Sequence, residues 1–147
     1  MNLTAFLAEN AIKPESTFYV VSPRFLSEEQ DEQGKPLPMR WEIKPITSEE
    51  DEEIRRESTR RVLVPGKKNL YQSETDVNLY TGKLAAACTA FPNLHDKALQ
   101  DSYHVKSAEA LLKRMLTPGE YANYVMKIQE VCGFDIALQD EVDEAKN

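Results

Sequence analysis

Positive charge is in short supply in this chain, and so are the residues from which reactive centres are usually built. Its 147 residues carry 18 lysines and arginines against 25 aspartates and glutamates, for a net charge of −7. An acidic chain is repelled by phosphate backbones, so sequence-independent nucleic-acid binding is not expected. The two cysteines, Cys88 and Cys132, are too few for a disulfide framework. Each lies in an apolar helical context and reads as a small buried hydrophobe, which fits a reduced, cytosolic setting. His95 and His104 are the sole histidines. Together with the cysteines they match no spacing that brings four zinc ligands onto tight turns or one helix face. Glycine is sparse, and Pro65-Gly66-Lys67-Lys68 lacks the remainder of a phosphate-binding loop. No Gly-x-Ser-x-Gly elbow occurs, and the carboxylates of Glu49–Glu53 read as a solvated helical turn. No apolar run approaches the ~20 residues of a membrane span. Residues 1–7 have neither the basic start nor the apolar core of a signal peptide. No cofactor, metal or membrane partner is expected, and with no convergent reactive set the chain reads as non-enzymatic.

What the chain does have is 41% apolar and 29% charged residues, the mix of a globular protein with a heavily charged surface. Its length suits a single domain spanning 1–147. Leu3, Phe6 and Leu7 have helical spacing and predict a short helix over 2–10, stopped by Pro14. Thr17–Val21 reads as a strand. Ser27–Pro38, polar with Gly34, Pro36 and Pro38, reads as a hairpin loop. Met39–Lys44 alternates, directing Met39, Trp41 and Ile43 to the core, and is expected to pair antiparallel with the first strand.

Thr47-Ser48-Glu49-Glu50 has capping-box spacing and starts a helix expected to run to Arg61, with Ile54 almost its only apolar residue. Val62–Val64 reads as a short third strand. Arg55, Arg56, Arg60, Arg61, Lys67 and Lys68 form a local basic patch opposed by Glu57 alone. Beyond residue 70 the pattern is helical throughout. Val77, Tyr80, Leu84, Cys88 and Phe91 share one face of a helix over about 75–91, which Pro92 ends. Further helices are expected over about 96–103, after the cap Ser107, and after the capping box Thr117-Pro118-Gly119-Glu120, the last stopping at Gly133. The fold class expected is α+β, mostly α. An N-terminal β-hairpin or small antiparallel sheet with a helix (1–70) precedes a compact helical bundle (71–133) and an acidic tail (134–147), in which Phe134, Ile136 and Leu138 have apolar side chains to dock.

The sequence also resembles the XkdN-like family of phage tail assembly chaperones, from contractile-tailed phages and phage-like elements of Gram-positive bacteria. The resemblance is carried by Val20-Val21-Ser22-Pro23-Arg24-Phe25 and by Trp41-Glu42-Ile43-Lys44-Pro45-Ile46-Thr47. It continues in Tyr80-Thr81-Gly82-Lys83-Leu84-Ala85-Ala86-Ala87 and in Phe91-Pro92-Asn93-Leu94 with Leu99-Gln100-Asp101-Ser102-Tyr103. It ends in Glu109–Tyr121 and the closing Asp143–Asn147. His104 departs from it, because a glycine is expected after Tyr103. The resemblance implies a chaperone that binds the tape measure protein, a long helical client, in the host cytoplasm and is absent from the finished tail. Other tail proteins are further possible partners, and self-association stays open. Candidate contact residues are Arg55, Arg56, Arg60 and Arg61 on the charged helix, and Tyr121 and Tyr124 on the last one. Two rival readings are a structural tail component retained in the particle and an acidic protein-binding adaptor or regulator.

Overall fold

The computed structural model describes residues 2–134. The expected docking of Ile136 and Leu138 lies outside these residues. The chain opens with a 3-10 turn at Thr4–Phe6 instead of the helix expected over 2–10. Leu3, Phe6 and Leu7 have helical spacing but stay exposed, so among the described residues no tertiary packing supports so short a helix.

The first half continues through β1 (Thr17–Tyr19), β2 (Leu26–Gln30), β3 (Pro36–Pro38), β4 (Trp41–Ile43), α1 (Ser48–Glu57) and β5 (Thr59–Leu63). The second half comprises β6 (Tyr71–Thr75), α2 (Val77–Cys88), β7 (Thr89–Phe91), α3 (Lys97–Ser102), α4 (Ala108–Met115) and α5 (Pro118–Val131). The fold is α+β, with small antiparallel sheets and a C-terminal set of helices.

The expected pairing of the first strand with the Trp41 strand is present: Thr17 lies opposite Ile43 and Tyr19 opposite Trp41. Trp41 and Ile43 are fully buried, whereas Met39 lies before the strand and is half-buried. The segment expected as a loop over Ser27–Pro38 is itself a β2–β3 hairpin. Its turn is fixed by the Asp31 carboxylate, which accepts from the amides of Gln33 at 2.8 Å and Lys35 at 2.9 Å. Gly34 supplies the left-handed residue, with φ of 80°. Backbone and turn bonds hold this hairpin with little burial, so hydrophobic alternation gave no sign of it.

The region after residue 70 is not wholly helical. β6 pairs back onto β5, and β7 joins the first sheet, in the order β1-β4-β7. The helix expected to reach Phe91 ends at Cys88, where Thr89 turns extended (φ −84°, ψ 102°). Phe91 therefore leaves the helix and is exposed, and Val77, the first residue of α2, is exposed too, so neither joins the apolar face with Leu84 and Cys88 as expected. The core lies between the sheet and the helices. Trp41 meets Tyr124 edge-on with ring centroids 5.3 Å apart, and Tyr19 lies stacked against Tyr124 at 6.4 Å. Leu84, Cys88, Leu111, Leu112 and Ile128 complete the same apolar cluster. Truncating a residue such as Trp41 in such a cluster costs about 3–5 kcal/mol. Gly82 allows α2 to approach its neighbours: a Cβ there would sit 3.3 Å from both Glu109 Cβ and Tyr121 Oη.

Candidate functional site

The capping box of α1 forms as its spacing predicts. Thr47 Oγ1 accepts from the Glu50 amide and Glu50 Oε1 accepts from the Thr47 amide, both at 3.2 Å. Ile54 alone is buried on this helix. Its arginines are occupied within the protein. Arg55 Nε donates to Asp51 Oδ2 at 3.0 Å, and its guanidinium lies 4.6 Å from the Tyr80 ring centroid. Asp51 also receives the Tyr80 hydroxyl. Burial alone would raise the Asp51 pKa, but the bonds from Tyr80 and Arg55 hold it below its ordinary value. Burial and the Asp51 contact push Tyr80 up to about 12. Arg56 pairs with Glu53.

Arg60 and Arg61 are not on the helix, contrary to expectation. α1 stops at Glu57, where the hydroxyls of Ser58 and Thr59 donate to the carbonyls of Ile54 and Arg55 at 2.8 and 2.7 Å. These side chains take up the last-turn carbonyls and the chain turns into β5. Arg60 then lies opposite Glu74, and Arg61 opposite Ser73 with its guanidinium 5.0 Å from the Tyr71 ring centroid. All of β6 is exposed, as are Leu63 and Leu70 beside it. The basic patch thus divides in two. The α1 arginines are largely neutralised by neighbouring carboxylates, while Arg60, Arg61, Lys67 and Lys68 lie exposed on the β5–β6 hairpin and its loop.

The two tyrosines of α5 have different environments. Tyr124 is fully buried, and its hydroxyl lies 2.6 Å from Thr89 Oγ1, which donates in turn to the Ala85 carbonyl at 2.7 Å. Burial raises its pKa. The expectation that Tyr124 meets a partner is corrected here, because the residue is core and offers no surface. Tyr121 is half-buried, and its hydroxyl, packed against Gly82, has no hydrogen-bond partner among the described residues.

Several features were not singled out by the sequence reading. Arg24 Nη2 bonds Glu120 Oε1 at 2.6 Å and the Met115 carbonyl at 2.7 Å, tying the segment after β1 to the start of α5. Cys88 Sγ lies 3.3 Å from Cys132 Sγ, both as free thiols. Their contact lowers the more accessible Cys132 to about 7, and the same contact together with burial raises Cys88. The outer face of the β1-β4-β7 sheet exposes Phe18 and Phe91. Strand alternation around Trp41 and Ile43 points Glu42 outward with them, and that was the available signal. Among the described residues no three His, Cys, Asp or Glu side chains converge as a metal site, and no helix is long and apolar enough to cross a membrane.

Residues 3–146 match the family model described as "Phage XkdN-like tail assembly chaperone protein, TAC". The chain is 31% identical to the phage-like element PBSX protein XkdN of Bacillus subtilis (strain 168), over 99% of this chain and 94% of that protein. It is also 31% identical to the uncharacterized protein YqbN of the same strain, over 99% and 93% of the two chains. The crystal structure of the protein YqbN superposes with a TM-score of 0.72 at 26% identity, covering 92% of this chain and 98% of that one.

Proposed function

Because the chain belongs to the XkdN-like family of phage tail assembly chaperones, we propose that it binds the tape measure protein of its own tail and keeps it dispersed until the tube assembles. The observation that carries this reading is family membership over nearly the full length of the chain. Its physical chemistry fits. A chain of net charge −7 keeps a bound, aggregation-prone client in solution by mutual repulsion. Exposed apolar residues at Leu63, Leu70 and Tyr71, with Arg61 on the same face of the hairpin and Arg60 on its reverse, supply contact area with a charged rim. Such partly polar surfaces suit an interaction that must later release.

The reading is non-catalytic, places the chain in the host cytoplasm, and has it leave before the particle is finished. Arg60 and Arg61 are the stronger contact candidates, since Arg55 and Arg56 are already paired on their own helix. Co-expression with the tape measure protein from the same gene cluster tests the proposal. The two should co-purify, and Arg60→Glu with Arg61→Glu should cut the recovered client several-fold. Absence of a complex with the wild-type chain would contradict it. Mass spectrometry of purified tails should find the chain absent or far below stoichiometry, and stoichiometric retention would instead make it a structural component.

A further inference from the structure

The outer face of the first sheet holds a second surface, of opposite charge to the β5–β6 hairpin. The register sets Phe18 opposite Glu42 on one side, and Glu42 opposite Phe91 on the other. One cross-strand row therefore runs Phe18-Glu42-Phe91 over the outside of the sheet. Phe18 is 59% exposed and Phe91 46%. Two phenyl rings thus remain partly in water and forgo part of the gain that burial would bring. The β2–β3 hairpin rises beside this row, and the two enclose a cleft of ≈ 730 Å³. Met39 and Pro38 add apolar wall. Glu28, Glu29 and Glu42 contribute three carboxylates, against the single guanidinium of Arg40. Glu42 accepts from the Ser16 hydroxyl at 2.8 Å and lies 3.8 Å from Lys44 Nζ, so the uncompensated charge of the rim rests on Glu28 and Glu29, which are exposed and pair with no cation among the described residues.

We propose that this cleft docks a polypeptide segment of the client whose apolar anchors are flanked by lysine or arginine. The phenyl rings and Met39 would cover the anchors, and the acidic rim would select the flanks. Charge decides the occupant. A phosphate-bearing surface is repelled, and residues 135–147 of this chain, with Asp135, Asp140, Glu141, Asp143 and Glu144 against Lys146, carry the same sign as the rim. The proposal rests on the client-binding reading above and names the chemistry of the segment and the face that takes it.

Two measurements on the full chain keep it separable from that reading. In the first, Glu28→Lys with Glu29→Lys, and separately Phe18→Ser, are co-expressed with the tape measure protein. Each should lower the recovered client about tenfold or more, with circular dichroism and Tm unchanged. Undiminished recovery would overturn the cleft and leave the chaperone reading standing. The second needs no natural client. A designed leucine–lysine amphipathic peptide should shift the amide resonances of Phe18, Glu42 and Phe91 saturably. It should bind Glu28→Lys/Glu29→Lys about tenfold more weakly, and a leucine–glutamate peptide should leave those resonances in place. Equal binding of both peptides, or shifts confined to other elements, would overturn the proposal. So would a halving of molecular mass on Phe18→Ser without client, because a second copy would then be the occupant.

Discussion

His104 holds a backbone φ of 57°, in the left-handed region that side chains with a Cβ rarely adopt. It closes α3 as the residue after the C-cap. Its amide donates to the Asp101 carbonyl at 3.1 Å, and the Val105 amide reaches back to Gln100 at 3.1 Å. The end of α5 is built identically, with Gly133 (φ 88°) donating to Glu130 and Phe134 reaching Gln129. One Schellman closure thus has its usual glycine and the other a histidine. The glycine that the family resemblance leads one to expect after Tyr103 has a concrete backbone reason. His104→Gly should raise stability by about 1 kcal/mol in urea denaturation, since the conformational relief exceeds the added freedom of the unfolded chain. A loss of stability would contradict this account of the turn. Glu120 gives a second test. The Arg24 hydrogen bond, helped by the Ser22 hydroxyl and the Thr117 amide, brings its carboxylate from 4.5 down to about 2. A folded-state pKa below the unfolded one contributes stability that is complete above pH ~4.5 and is lost as pH falls toward 2. Urea midpoints measured across that range should therefore fall less steeply in Glu120→Gln than in the wild type.

At the scale of elements, the helices were legible because their ends are written in local chemistry. Thr47 with Glu50, Ser107, and Thr117 with Glu120 each cap the helix they were expected to start. Thr47→Ala should accordingly cost about 1 kcal/mol of stability in urea. The strands were less legible, for three physical reasons. β2 and β3 form a hairpin stabilised by a turn and backbone bonds, without an alternating apolar face. β6 is a fully exposed Tyr-Gln-Ser-Glu-Thr run whose identity comes from pairing with β5, a relation between segments that no local pattern carries. β7 continues the helical spacing of α2 in sequence, so Phe91 looked like a fourth-turn core residue when it is an outward residue of an edge strand. The same misreading hid half of the Phe18-Glu42-Phe91 row. On the β5–β6 hairpin, Arg60→Glu with Arg61→Glu touches exposed side chains only. A like charge opposite Glu74 and the loss of the Tyr71 ring contact should cost no more than about 1 kcal/mol each in urea while client recovery falls several-fold, which separates a contact role from a folding role. A large loss of stability would mean that the hairpin's charges serve its own pairing with β6.

Over the whole molecule, the net charge conceals two local arrangements of opposite sign. A basic hairpin carries Arg60, Arg61, Lys67 and Lys68, and an acidic cleft carries Glu28, Glu29 and Glu42. Both expose apolar side chains beside their charges, at Leu63, Leu70 and Tyr71 in one case and at Phe18 and Phe91 in the other. Composition alone conveyed the acidity, but not this separation, which depends on the register of strands distant in sequence. On the proposed reading these two surfaces hold a client through apolar contact and charge together, so recovery of the complex should fall as salt screens the charges over a Debye length of about 8–10 Å. The role proposed for this chain is to keep the tape measure protein soluble. The most direct measurement is the fraction of that protein found in the supernatant when it is expressed alone and when it is expressed with this chain. The tape measure protein should be largely insoluble alone and largely soluble, in complex, when this chain is present. An equal soluble fraction in both conditions, with no complex recovered, would contradict it.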